Sequence, residues 1–169
     1  FKEEVTENAI EIEGYNKLEP SKATITIEDK ENEIIFFYAA KSDLTYTVKH
    51  LEKGSNKELK VTTKVGQKFG NTVTENAIDI PGYNKPEVTT QTITISTEGN
   101  EIIFYYTKRT DLSYTVKYLE KGIEDPNAAK LAEEKTVNGQ TFEESVTENA
   151  IDIPGYNKSG ESTQSITIG

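Results

Sequence analysis

The chain contains no cysteine among its 169 residues, which removes disulfide frameworks, thiolate metal sites and cysteine nucleophiles together. It has a single histidine, His50, so no second base of that kind is present from which to assemble a catalytic triad. The equivalent position in a later copy of the repeat described below is Tyr118. A position that tolerates tyrosine is not required for proton transfer or metal ligation, and His50 is expected as an exposed strand residue. The longest apolar run, "IIFFYAA" at residues 34–40, is far too short to span a bilayer. No basic-then-apolar leader opens the chain. Because residue 1 falls inside a repeat, any signal or anchor is expected outside this stretch. The turns "STEGNE" and "EDKENE" lack the Asp-x-Asp-x-Asp-Gly spacing of a calcium loop. These absences leave no cofactor, no metal site and no catalytic residue to nominate, and an enzyme is the class that fits least.

What the sequence has in abundance is repetition. "VTENAIDIPGYNK" stands at 73–85 and again at 146–158, and "VTENAIEIEGYNK" at 5–17. The Gly-Tyr-Asn triplets begin at Gly14, Gly82 and Gly155, a period of about seventy residues, longer than most solenoid repeats and suited to a small domain with its own core. "TITIEDKENEIIFFY" at 24–38 answers "TITISTEGNEIIFYY" at 92–106, and "SDLTYTVKHLEKG" at 42–54 answers "TDLSYTVKYLEKG" at 110–122. This phase divides the chain into 1–41, a partial repeat without its leading hairpin, 42–109, a complete repeat, and 110–169, a repeat without its closing strand. The extra residues of the last copy, "IEDPNAAK" in place of "SNK", read as a longer surface loop.

The net charge of −10 is unevenly spread. Residues 1–41 hold five basic and ten acidic side chains, 42–109 nine and eight, and 110–169 five and eleven. The complete repeat is nearly neutral, so acidity reads as solubility and disfavours nucleic-acid binding. Paired carboxylates fit the same view, since Glu3 with Glu4 is replaced by Asn71 with Thr72 in the middle copy.

Richness in Thr, Ile, Val and Tyr favours strands. Leu44, Tyr46, Val48 and His50 alternate with Thr45, Thr47 and Lys49, the period of a half-buried strand. A Gly and Asn turn in "EKGSNKE" leads to a hairpin partner at 59–65, which Gly66 ends. Residues 73–80 place Val73, Ala77, Ile78 and Ile80 at spacings compatible with one helical turn capped by Thr74. Pro81 and Gly82 turn the chain, 92–96 forms a third strand, and 102–107 a fourth, too apolar for an edge. The first and last strands can then lie side by side at the centre. The expected fold class is α+β and β-rich, with tandem small β-grasp-like modules in an elongated arrangement. The join "YTKRTDL" at 106–112, without Gly or Pro, implies limited freedom between modules.

The order "YTVKYLEKG", a lysine-rich hairpin, "VGQKFGNTVTENAIDIPGYNK", "TITI" and "NEIIFYYTK" resembles the mucin-binding protein (MucBP) repeat family of Gram-positive surface proteins. The carriers are Tyr46, Val48, Gly66, Gly82, Tyr83, Phe104, Tyr105 and Tyr106, and the likeness covers the whole chain through partial and complete copies. It implies an extracellular location on the bacterial cell surface or cell wall and repeats of an adhesin that binds host mucin or glycoprotein glycans weakly, gaining strength from copy number. The alternative is a stalk of spacer repeats presenting a distant binding domain. No membrane insertion is expected of this stretch.

As a site, "GYNK" offers a tyrosine ring for stacking and an amide for paired hydroxyls. That nominates Tyr83, Asn84 and Lys85, with Tyr156, Asn157 and Lys158 in the next copy, as ligand-binding residues. The plainer reading is that Gly-Tyr after a turn serves the backbone and the core, which leaves Asn84 and Lys85 as the better contacts. Sialylated or sulfated glycans would be repelled by the net charge within a Debye length of about 8 Å, so a neutral sugar or protein epitope fits better. A Lys–Asn crosslink would join Lys49 or Lys117 to Asn76 or Asn149, but alternation turns Lys49 outward and disfavours it. The phase also predicts an open strand edge in the third copy, where a neighbouring chain can add a strand.

Overall fold

The computed structural model describes residues 2–169, and these form strands and turns without a helix. The strands are β1 Glu4–Asn8, β2 Tyr15–Lys17, β3 Lys22–Thr26, β4 Tyr38–Ala40, β5 Leu44–Glu52, β6 Glu58–Gln67, β7 Thr72–Asn76, β8 Tyr83–Asn84, β9 Thr90–Thr94, β10 Glu101–Lys108, β11 Leu112–Val116, β12 Lys135–Gln140, β13 Ser145–Asn149 and β14 Thr163–Thr167. The protein is all-β, which overturns the α+β, β-grasp-like expectation, since a β-grasp needs a helix across its sheet. The error lies in residues 73–80. Three adjacent β-branched residues, Thr72, Val73 and Thr74, favour extended backbone, and β7 pairs antiparallel with β9, Val73 opposite Ile93. The Thr74 hydroxyl is used across the strands, 2.8 Å from that of Thr92, instead of capping a helical turn.

The same hairpin recurs in each copy. β1 pairs with β3, Val5 opposite Ile25, and β13 with β14, Val146 opposite Ile166. Thr6 and Thr24 hydroxyls meet at 2.7 Å, as do Thr147 and Ser165. The "VTEN" part of the phrase therefore folds the same way all three times, held by cross-strand pairs.

Two compact units are present. The first comprises the chain up to Ala77 together with Pro86–Tyr105, and the second Ile78–Lys85 together with Tyr106–Gly169. In the first unit, β5 lies between β6 and β10. β5 and β6 are antiparallel. Contacts advance in the same direction along β5 and β10: Asn100 Nδ2 donates to Thr45 O, Thr47 N donates to Asn100 O, and His50 stacks on Phe104. The first and last strands of the complete copy are thus adjacent and parallel. Tyr46, Val48, Leu51, Ile95, Ile102 and Phe104 are buried there, each fully buried large apolar side chain contributing roughly 1.5–3 kcal/mol.

Gly66 does not end β6. The register slips between Leu44 and Tyr46, with Gln67 and Lys64 as their partners, so the strand continues through a bulge. Gly66 has φ 70° there, the left-handed conformation that such a bulge assigns to glycine. Gly139 repeats this in β12 with φ 72°, opposite the slip between Leu112 and Ser113.

His50 is 3% exposed, not an exposed strand residue, and its ring lies 5.5 Å from that of Phe104 in a stacked pair. Burial lowers its pKa, the Lys60 charge adds to this, and Glu75 opposes it. A lowered pKa means that the folded state binds fewer protons than the unfolded one, so stability falls as pH drops below the unfolded value of about 6.5. We expect urea midpoints of the first unit to decline between about pH 7 and pH 5, and His50→Tyr, the residue that Tyr118 supplies in the later copy, to flatten that decline. An unchanged slope in the variant would assign it to other groups.

Candidate functional site

The Gly-Tyr-Asn turns fall in different settings. In the second unit β8 pairs with the end of β10, Asn84 opposite Thr107 and Tyr83 opposite Lys108. Tyr83 is 8% exposed and meets Phe142 edge-on, ring centroids 5.5 Å apart at 68°. The Asn84 amide donates to Thr107 Oγ1 at 3.3 Å and Lys108 O at 3.2 Å. Lys85 Nζ sits 3.3 Å from Asp79 Oδ1. All three nominated residues of this copy are committed to the protein itself.

The third copy is different. Tyr156 is 48% exposed, and with Asn157 and Lys158 it borders a shallow open cleft against Leu119 and Leu131. Lys158 pairs with Asp152 at 2.9 Å, as Lys17 pairs with Glu11 at 2.6 Å in the first copy. The turn lysine therefore answers an acid six residues earlier in every copy. This ion pair pins the turn, although exposed pairs of this kind each contribute no more than about 1 kcal/mol.

The residue that sequence reasoning missed is a phenylalanine. Gly14 has φ 80°, and a Cβ built on it would lie 2.4 Å from the Phe69 ring; Gly82, also at φ 80°, stands in the same relation to Phe142. Tyr15 meets Phe69 edge-on at 5.5 Å and 69°. Backbone bonds complete each joint. In the first unit Lys41 N donates to Gly14 O and Phe69 N to Lys41 O; in the second Arg109 N donates to Gly82 O and Phe142 N to Arg109 O. The aromatic ring that opens one "VTEN" phrase thus plugs the Gly-Tyr turn of the phrase before it. Tyr15 remains 39% exposed despite its plug, so the phenylalanine contact alone does not bury the tyrosine.

A second recurring group lies beneath the phrase. Tyr46 Oη donates to Glu75 Oε1 at 2.6 Å, and Lys64 Nζ pairs with the same oxygen. Hydrogen bonds from Lys64 and then Tyr46 hold the Glu75 carboxyl below its ordinary pKa, while burial and then Glu75 push the Tyr46 phenol up. In the second unit Tyr114 Oη donates to Glu148 Oε1 at 2.6 Å, and Lys135 Nζ donates to the same oxygen at 2.8 Å. The lysine has moved along its strand: Lys64 pairs in register with Tyr46, but Lys135 with Val116. One pleat of displacement keeps it on the same face, and the ion pair is preserved without the position. Neither group has a nucleophile and base poised for chemistry. Both bind a phrase glutamate to the leading hairpin.

The crosslink candidates have other partners: Lys49 pairs with Glu101 at 2.5 Å and Lys117 with Glu134 at 3.7 Å, while Asn76 and Asn149 accept hydrogen bonds from Thr90 and Thr163. No family model, curated protein or solved structure gives a significant match to this chain.

Proposed function

We propose that these repeats are structural spacers of an extracellular, cell-surface protein, serving to display a binding domain elsewhere in the parent. The observation that carries this reading is the internal use of the Gly-Tyr-Asn-Lys turn in the complete copy. Tyr83 is buried against Phe142, the Asn84 amide is spent on β10, and Lys85 is paired with Asp79. A glycan site needs stacking faces and amides that are free for the ligand, and this copy has neither to spare.

A second reading, weak multivalent adhesion to host mucin or glycoprotein glycans, is favoured by the third copy, where Tyr156, more exposed than Tyr15 and Tyr83, stands beside Asn157 and Lys158. Retention of the 169-residue chain on immobilised mucin, before and after enzymatic removal of the glycans, separates the two. The spacer reading expects no glycan-dependent retention. Retention that disappears both with the glycans and with Tyr156→Ala would replace it with adhesion.

A further inference from the structure

The direction of the chain through the complete copy decides how that copy meets tension. The chain enters at Leu44, the start of β5, and leaves at Lys108, the end of β10. β5 and β10 are neighbours in one sheet and run parallel, so their starting ends lie together: Asp43, Thr45, Glu98 and Gly99 border one open cleft. Entry and exit are therefore at opposite ends of a single strand pair. A pull on the chain from both sides draws β5 and β10 past each other along their length, and the hydrogen bonds that cross between the strands resist together. β6 and the β7–β9 hairpin, which lie between the two strands in sequence, are off that path for as long as the pair holds.

The pair is tied in ways that oppose sliding. Thr47 N donates to Asn100 O at 2.9 Å, and Asn100 Nδ2 donates to Thr45 O at 3.1 Å. The same Asn100 amide is fixed to the turn before β10, accepting from Ser96 N and donating to Ser96 O, both at 2.8 Å. Lys49 pairs with Glu101 across the strands at 2.5 Å, and His50 stacks on Phe104 with 15° between the ring planes. Gln91 Nε2 donates to Ile103 O at 2.5 Å, which ties β10 to β9 as well. Val48, Ile102 and Phe104 are buried. Because side chains alternate with a period of two, a slip by one residue would turn Ile102 and Phe104 out of the core, and a slip by two would drag them through a packed interior. A hydrogen bond alone contributes only about 1 kcal/mol, so the resistance comes from loading these ties at the same moment.

We propose that the β5 and β10 pair is a shear clamp, which makes the complete copy a load-bearing element of the chain. The proposal rests on the spacer reading for the source of its load and adds what kind of spacer this is. Under tension the copy keeps its length until the clamp ruptures, and the residues between the two strands are then released in a single step. The chain lengthens by roughly 200 Å at that step, the extended reach of residues 43–110 less the span of the clamp. A pull on the two starting ends is the contrasting case, since it peels the strands apart and opens the ties one after another. Folding stability is the same in both cases, but forced rupture follows the unfolding rate along the pulled path.

The test is single-molecule pulling of the 169-residue chain, in which the lack of any native cysteine lets introduced pairs define where force enters. Asp43→Cys with Thr110→Cys places the handles at opposite ends of the clamp, and Asp43→Cys with Glu98→Cys places them at the same end; all three positions are exposed. At a common loading rate the first pair is expected to rupture in one step of roughly 200 Å, at several times the force that opens the second pair. The two double variants are expected to share one urea midpoint, so that stability does not account for the difference. Lys49→Gln, which removes the tie to Glu101, is expected to lower the force for the first pair and to leave that for the second nearly unchanged. Equal forces in the two geometries, or release of the first pair through a ladder of small steps, would overturn the clamp and leave the spacer reading as it stands. Glycan-dependent retention on mucin does the reverse, overturning the spacer reading and leaving the force difference as it stands.

Discussion

Phe104→Ala is expected to lower the stability of the first unit by about 3–5 kcal/mol, the range for truncating a fully buried aromatic. Phe104 is 1% exposed and stacks on His50 at the centre of the β6, β5 and β10 arrangement, so no solvent-exposed side chain can move in to occupy the void. For a unit of this size each kcal/mol shifts the midpoint by about 4–8 °C, so the variant is expected to lose about 10 °C or more. The equivalent Phe36→Ala is the internal control. Phe36 is only partly covered, and its truncation is expected to change the urea midpoint far less. Equal losses for both variants would mean that the first copy is packed as tightly as the complete one.

The second large effect is Gly82→Ala. A residue with a Cβ at φ 80° costs roughly 1–2 kcal/mol from backbone sterics alone, and here the new methyl carbon would also meet the Phe142 ring at 2.4 Å. A ring locked by Tyr83 on one side and by the Phe142 N to Arg109 O bond on the other cannot retreat without breaking the joint. We expect a total loss of about 3 kcal/mol, in line with strain combined with overpacking. A double-mutant cycle divides the two causes. In a Phe142→Ala background the cost of Gly82→Ala is expected to fall to the backbone share. If the cost is the same in both backgrounds, the ring is not what forbids a side chain at Gly82, and the plug is incidental.

The repeat, its period, the first hairpin and the central pairing of first and last strands were legible because alternation and turn residues speak locally. His50 was misjudged: alternation puts it on the face of Tyr46 and Val48, but the tyrosine at its counterpart, Tyr118, argues for an exposed position, and stacking on Phe104 buries it instead. The phrase was misread as a helical turn because Ala77, Ile78 and Ile80 fit two periods at once. The β-branching of Thr72, Val73 and Thr74 and the pairing with β9 together make extended backbone the better choice there. Of the six nominated site residues, Tyr83 was foreseeable as packing, whereas the use of Asn84 and Lys85 depends on neighbours that come into range only on folding. Phe69 and Phe142 left a trace that went unread. Each stands at one fixed distance before "VTEN", while the residues between change from "GNT" to "EES". The displaced pair of Lys64 and Lys135 could not have been found by aligning copies, because the two lysines do not align.

Two joints are filled in the same way, Phe69 against the Gly14–Tyr15 turn and Phe142 against the Gly82–Tyr83 turn, each glycine at φ 80°. A gene built this way can gain or lose whole periods by unequal recombination between its own near-identical stretches. Every new seam comes out ready-made, because the joint is encoded inside the duplicated length and not at its borders. Selection is then free to act on copy number as a continuous variable, lengthening or shortening the protein without redesigning a single contact.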